Sequence, residues 1–394
     1  MSFQSKYLKY KNKYLKLKNQ IGGVVCGKCN KEPCNCESRF EDLASDKNSK
    51  IFQFLNIAEG RALKAAVPEE NRMSINLQTQ VKKEYIINIA CGYLHSLALL
   101  NDMTIRDWGN DDNKQVPFKS ISFLEEDKTV VQIAAGSNFS LALLNDGTVR
   151  RWEKKNWFDT YMHFYDRPQQ VSFSAQDKRV VKIAVGIDHS LALLDDHTIG
   201  CLGPNTFGKA PPDGVSFLTE GRKVVQVAAG GHHSLALLDD GTVRCWGNNM
   251  DDQAPDDAVS FLAECRKVIK IAAGGDHSIA LLDDGTVRYW GKVWILQTPD
   301  SGISFLAEGK RIVKIATGDK QLLALLEDGT LRCWGRYMYD KPPNNIISFL
   351  AEGKQIVKIA AGKEHALALL DDGTLRCWGS NNNGQCNMPD FKYF

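Results

Sequence analysis

A unit of about 44 residues, repeated seven times, decides what this chain can fold into. The glycine that closes each Ile-Ala-Ala-Gly-like run falls at Gly92, Gly136, Gly186, Gly230, Gly274, Gly318 and Gly362, with steps of 44, 50, 44, 44, 44 and 44 residues. A tryptophan keeps the same step at Trp108, Trp152, Trp246, Trp290, Trp334 and Trp378, and Leu202 stands in its column in the third copy. A period of this length marks a stacked architecture in which each unit covers the apolar faces of its neighbours.

Each copy reads V-S-F-L, a short polar turn, R-K-V-V-x-I-A-A-G, two or three residues, then H-S-L-A-L-L-D-D-G-T-V-R-C-W-G. Val, Ile, Phe and Trp mark the strands, and Gly, Asn and Asp mark the breaks. Asp240-Gly241, Asp284-Gly285, Asp328-Gly329 and Asp372-Gly373 sit between apolar runs. They suit tight hairpins whose two central residues take positive φ. Four short strands per unit is the pattern of a propeller blade. The expected fold is therefore all-β, a seven-bladed β-propeller over residues 75–394. The first copy has no V-S-F before Tyr85, so 74–81 or 389–394 is expected to complete the outer part of blade one.

The segments "AAGGHHSLALLDDGTVRCWGNN" at 228–249, "AAGGDHSIALLDDGTVRYWG" at 272–291 and "AAGKEHALALLDDGTLRCWGSNNNGQ" at 360–385 closely resemble the regulator-of-chromosome-condensation repeat family. The resemblance covers about four fifths of the chain. It implies a seven-bladed propeller, and it constrains function less, because one scaffold hosts unrelated activities.

Several columns look chemical. His95, His189, His233, His277 and His365 share one, with Phe139 and Gln321 in the other copies. Equivalent positions in different blades point in rotated directions, so these imidazoles cannot converge on a metal. Hydrogen bonds to backbone near the Ala-Ala-Gly turn explain them better. The acidic pairs Asp195-Asp196, Asp239-Asp240, Asp283-Asp284 and Asp371-Asp372 precede turns and read as turn chemistry rather than calcium ligands. Cys201, Cys245, Cys333 and Cys377 occupy one strand column and read as small packing residues. No P-loop, dinucleotide-binding glycine pattern, zinc-protease helix or nucleophile elbow is present, and a non-enzymatic role is expected.

Function on a repeat scaffold lies where the repeat breaks. The step of 50 adds six residues between Trp152 and Val171-Ser172-Phe173. This stretch holds Trp157, Phe158, Tyr161, His163, Phe164 and Tyr165, with Lys154, Lys155 and Arg167 around them. Aromatic residues beside cations are favoured at binding hot spots. Residues Trp157, Phe158, Tyr161, Phe164, Tyr165 and Arg167 are thus the candidate partner-binding set. The competing reading folds these aromatics back over a weakened third blade, which lacks its tryptophan and carries His197 for glycine.

The first 74 residues differ in kind. In 1–23, Tyr7, Tyr10, Tyr14, Leu17 and Ile21 form an apolar stripe among six lysines and no acid, and Gly22-Gly23 stops the pattern. That predicts a basic amphipathic helix suited to an acidic partner or an anionic surface. The remainder then sums to −4, from the net +2 less this +6, which gives the propeller no electrostatic case for nucleic acid. "SKYLKYKNKYLKLKNQIGG" also resembles a leader on proteins of giant DNA viruses, which implies host cytoplasm or the virion. Residues 24–37 carry Cys26, Cys29, Cys34 and Cys36 as C-x2-C-x4-C-x-C, either a small zinc site or a reduced linker. Residues 38–74 read as a helical linker. Eleven cysteines, an odd number without a secretory signal, fit an intracellular, reducing setting, and no apolar run is long enough to span a bilayer.

The leading reading is a protein-interaction platform. The resemblance also implies two alternatives: nucleotide exchange on a small GTPase, or an adaptor for ubiquitin ligation. The six-residue insertion is short for the first. For the second, the Cys26–Cys36 cluster is too small for a complete RING.

Overall fold

The computed structural model describes residues 85–109, 119–153, 168–173, 178–292, 303–335 and 346–388. The amphipathic stripe of 1–23, the four cysteines of 24–37, the linker 38–74 and both segments expected to complete blade one lie outside them.

Seven antiparallel sheets of three or four strands follow one another along the chain. Their innermost strands are Ile86–Cys91, Val130–Ala135, Val180–Val185, Val224–Ala229, Val268–Ala273, Ile312–Thr317 and Ile356–Ala361. Each innermost strand touches the next, and the seventh touches the first, so the sheets close a ring. The all-β, seven-bladed expectation is met.

The second strand of each blade, such as His233–Leu238, is buried at every residue. Neighbouring blades cover both of its faces, and a run such as H-S-L-A-L-L therefore shows no polar alternation. Successive side chains serve opposite neighbours. Leu97 and Leu99 pack with Val130, Ile133 and Trp152 of blade two. Ala98 and Leu100 pack with Leu367, Leu369 and Leu375 of blade seven. Each fully buried leucine contributes about 1.5–3 kcal/mol, and none is covered unless the adjoining blade is in place.

The Asp-Gly hairpins differ from expectation in one respect. Only the second residue takes positive φ: Gly241 at +88°, Gly285 at +83°, Gly373 at +83°. The preceding aspartate instead accepts from the threonine after the glycine, as Thr242 N and Oγ1 donate to Asp240 Oδ1 at 3.0 and 2.8 Å. The first member of the pair works as well, since Lys223 N donates to Asp239 Oδ1 and pins the entry to the innermost strand. The acidic pairs are turn residues, as read. His197 holds the glycine position of blade three at φ +67°, a strained setting for a side chain with a Cβ.

The strand phase corrects the repeat boundaries. Val-Ser-Phe pairs backward, as the outermost strand of the preceding blade: Ile121 with Ile105, Val171 with Val149, Ile347 with Leu331. Single bridges Val215–Ile199, Val259–Val243 and Ile303–Val287 do the same in blades three to five. Blade one thus has its outer strand from Lys119–Ile121 and needs neither terminal segment. Blade seven, 356–379, has neither a fourth strand nor such a bridge among the described residues.

Candidate interaction face

Strand direction alternates within a blade, so the turn from first to second strand and the connection from third to fourth emerge at one end of the ring. The Asp-Gly hairpins and the Leu-Ala-Glu turns emerge at the other. At that second end five seams carry an arginine over a phenylalanine and beside a glutamate, Arg150 with Phe123 and Glu126 among them. Arg244 lies 2.6 Å from Glu220 and 5.9 Å from the Phe217 ring centre. Arg288, Arg332 and Arg376 repeat the arrangement. Solvent-exposed pairs of this kind add little stability each.

At the first end the repeat chemistry is spent on joining blades. Histidine Nε2 lies 2.9 Å from the Ser234 hydroxyl for His189, 2.9 Å from Ser278 for His233 and 2.9 Å from Ser96 for His365. In each case the serine belongs to the next blade. The expected structural role of the histidines holds, but their partner is a neighbouring hydroxyl rather than nearby backbone. Phe139 instead receives the Arg151 guanidinium at 4.2 Å, and Gln321 Nε2 donates to the His365 carbonyl at 2.6 Å.

The serines donate onward. Ser234 Oγ donates to Lys209 O at 2.9 Å, Ser278 Oγ to Gln253 O at 3.0 Å and Ser96 Oγ to Gln385 O at 3.0 Å. With the serine proton committed there, the imidazole must be the donor to Ser Oγ. A histidine in that state cannot take the serine proton, so these pairs are relays and not catalytic dyads. Burial pushes the imidazoles down to about 3 for His233 and His365 and about 4 for His277, which keeps them neutral.

The same carbonyls hold three members of the tryptophan column, whereas Trp152 Nε1 donates to Asp107 Oδ2 at 2.9 Å and Trp378 Nε1 has no partner among the described residues. Trp246 Nε1 donates to Lys209 O at 3.0 Å, Trp290 to Gln253 O at 3.1 Å and Trp108 to Gln385 O at 2.9 Å. Each acceptor sits in the third-to-fourth connection of the preceding blade. An asparagine shapes that turn by accepting from a backbone N–H five residues on: Asn205 from Ala210, Asn249 from Ala254, Asn381 from Cys386. Lys209 is fully buried and reaches Asp188 at 3.1 Å. His189 and Lys209 hold the Asp188 carboxyl down at about 2.

The last of these turns follows blade seven and docks on blade one. A disulfide between Cys377 and Cys386 fastens it. Cys377 is therefore not the packing residue its column suggested, whereas Cys201, Cys245 and Cys333 are free and at least partly covered.

Blade three breaks the pattern. Leu202 replaces the indole, and the buried Ser190 hydroxyl has no hydrogen-bond partner among the described residues. The connection that would supply the carbonyl is 154–167, between Val149–Glu153 and Gln169–Val171. Trp157, Phe158, Tyr161, Phe164, Tyr165 and Arg167 lie outside the described residues, as do Cys26, Cys29, Cys34 and Cys36. Among the described residues there is no cluster of three or more His, Cys, Asp or Glu suited to a metal, and no helix long and apolar enough to cross a membrane.

Comparison with curated proteins gave no match. The profile of the regulator of chromosome condensation (RCC1) repeat matches residues 130–152, 224–253, 268–292 and 356–385. Among solved structures, human WBSCR16 is similar at 20% identity and a TM-score of 0.57, over 72% of this chain and 86% of its own. Prp20p from Saccharomyces cerevisiae, characterised with its binding to Gsp1p and histones, is similar at 20% identity and 0.58, over 73% and 84%. The ectodomain of the Arabidopsis thaliana receptor kinase ACR4 is similar at 19% identity and 0.54, over 76% and 98%. At these identities the likeness is one of fold. The chain thus carries RCC1 repeats in four of its blades and is similar in fold to propellers built of that repeat.

Proposed function

We propose that the chain is a non-enzymatic protein-interaction platform whose contact surface centres on the 154–167 connection. The observation that carries this is the broken relay at blade three. The connections before blades one, four and five are tied down by an indole and a serine hydroxyl. A stretch rich in aromatics and cations, 154–167, precedes in sequence a blade that lacks the indole and whose serine hydroxyl has no partner among the described residues. That supports partner binding over a covering role.

Replacing Trp157, Phe158 and Tyr161 together by alanine is expected to abolish capture of the protein partner from the native cell and to leave the melting temperature within a few degrees. Loss of folding instead would assign these side chains to blade three. Prp20p is described with Gsp1p, so exchange on a small GTPase is the alternative to test. Accelerated nucleotide release from such a GTPase would replace the platform reading. We place the protein inside the cell, and Cys26, Cys29, Cys34 and Cys36 stand as a zinc site or linker that metal content distinguishes.

A further inference from the structure

Columns of a propeller converge only at its axis, so the innermost strands are where a repeated position can build a site. Their third position holds Asn88, Gln132, Lys182, Gln226, Lys270, Lys314 and Lys358. In blades two and four the glutamine solves a local problem. The inner edge of the next innermost strand is unpaired, and the amide offers it one donor and one acceptor. Gln132 Nε2 donates to Ile183 O at 2.7 Å while Ile183 N donates back to Oε1 at 3.0 Å. Gln226 makes the same clamp on Ile271 at 2.8 and 3.2 Å.

Lysine has donors only and cannot satisfy the strand N–H. Lys314 Nζ donates to the Val357 carbonyl. Lys358 Nζ donates to Asn88 Oδ1 at 3.2 Å. Lys270, in the same register, has no hydrogen-bond or ion-pair partner among the described residues. Blades five, six and seven thus place three ammonium groups side by side on the channel wall, and none of the three forms an ion pair among the described residues. They repel one another: burial and then the Lys314 charge push both Lys270 and Lys358 below the ordinary lysine value. Uncompensated cations in a partly covered wall are costly.

The residue before each is bulged out of the ladder, and it is apolar in all seven blades: Val131, Val181, Ile269 and Val313 are 58%, 43%, 54% and 44% exposed. This ring borders the lysines with low-dielectric surface, which strengthens attraction for an opposite charge.

We propose that the axial channel binds a small multivalent oxyanion of the phosphate class, held by Lys270, Lys314 and Lys358. The neutral glutamines show that the fold does not need lysine here, and three adjacent substitutions to a cation make sense where an anion completes them. The test is calorimetric titration of inorganic pyrophosphate into the full chain at constant ionic strength, with melting curves for every variant. Saturable binding at one equivalent is expected, weakened about tenfold or more in K270Q and in K358Q, the effect of one lost charge-assisted hydrogen bond. K182Q, in blade three, should bind within about twofold of the native chain. Absence of saturable binding would overturn the proposal. So would a folded K270Q or K358Q that binds as the native chain does, or an equal loss in K182Q.

Discussion

A glycine and a histidine set the terms of five of the seven blade junctions. A Cβ on Gly230 would stand 2.3 Å from His233 Cε1 and 2.6 Å from the Gly274 carbonyl of the next blade. Only hydrogen fits, because the imidazole lies flat against its own glycine while Nε2 reaches the neighbouring serine. The cost of this arrangement is pH sensitivity. The folded values of His233, His277 and His365 lie below the unfolded value near 6.5, with burial as the leading cause. Below pH 6.5 the unfolded chain therefore takes up protons first, and stability falls as pH falls toward 3–4. Lowering pH from 7 to 5 is expected to remove up to roughly 2 kcal/mol per histidine, read as a falling melting temperature. Gln321 shows what the column tolerates without titrating. Replacing the three histidines by glutamine should flatten the pH 5–7 dependence, and an unchanged slope would assign it elsewhere.

The strand was more legible than the connection. Asp-Gly pairs, apolar second strands and the 44-residue step announced the blades, because hairpin chemistry is local. The phase of V-S-F was not legible: a strand flanked by two blades can pair either way, and only Ile121 opposite Ile105 decides it. The tryptophan column was visible as a column, yet for Trp108, Trp246 and Trp290 the acceptor lies in another blade's turn. The channel lysines were hidden for a similar reason, since Asn, Gln and Lys at one position read as a solvated face until the bulge and the ring direct them inward. The Cys377–Cys386 bond was hidden too: pairing cannot be read from spacing, and Cys386 takes the place of Ala210 and Ala254 in a turn. Its separation of nine residues gives an expected contribution of about 2–3 kcal/mol. Reducing the protein, or replacing Cys386 by alanine, should lower the melting temperature by several degrees. An equal melting temperature with and without reductant would show that the bond adds nothing to closure.

At the scale of the molecule, seven sheets meet end to end, and among the described residues no strand is shared between the first and the last. Blade seven meets blade one through the Ile86–Leu367 core, the His365–Ser96 hydrogen bond and the turn at 381–387, whose Gln385 carbonyl accepts from both Ser96 and Trp108. This junction uses the same parts as the junctions at blades four and five, and among the described residues the disulfide is what it adds to them. That equivalence assigns the repeat residues to joining blades, and the function we propose assigns the 154–167 departure to a partner. Thermal unfolding of a chain ending at Gly379, compared with one ending at Met388, tests the equivalence most directly. Losing two hydrogen bonds, the disulfide and the docked turn is expected to lower the melting temperature by roughly 10 °C. Coincident melting curves for the two chains would contradict closure through this turn.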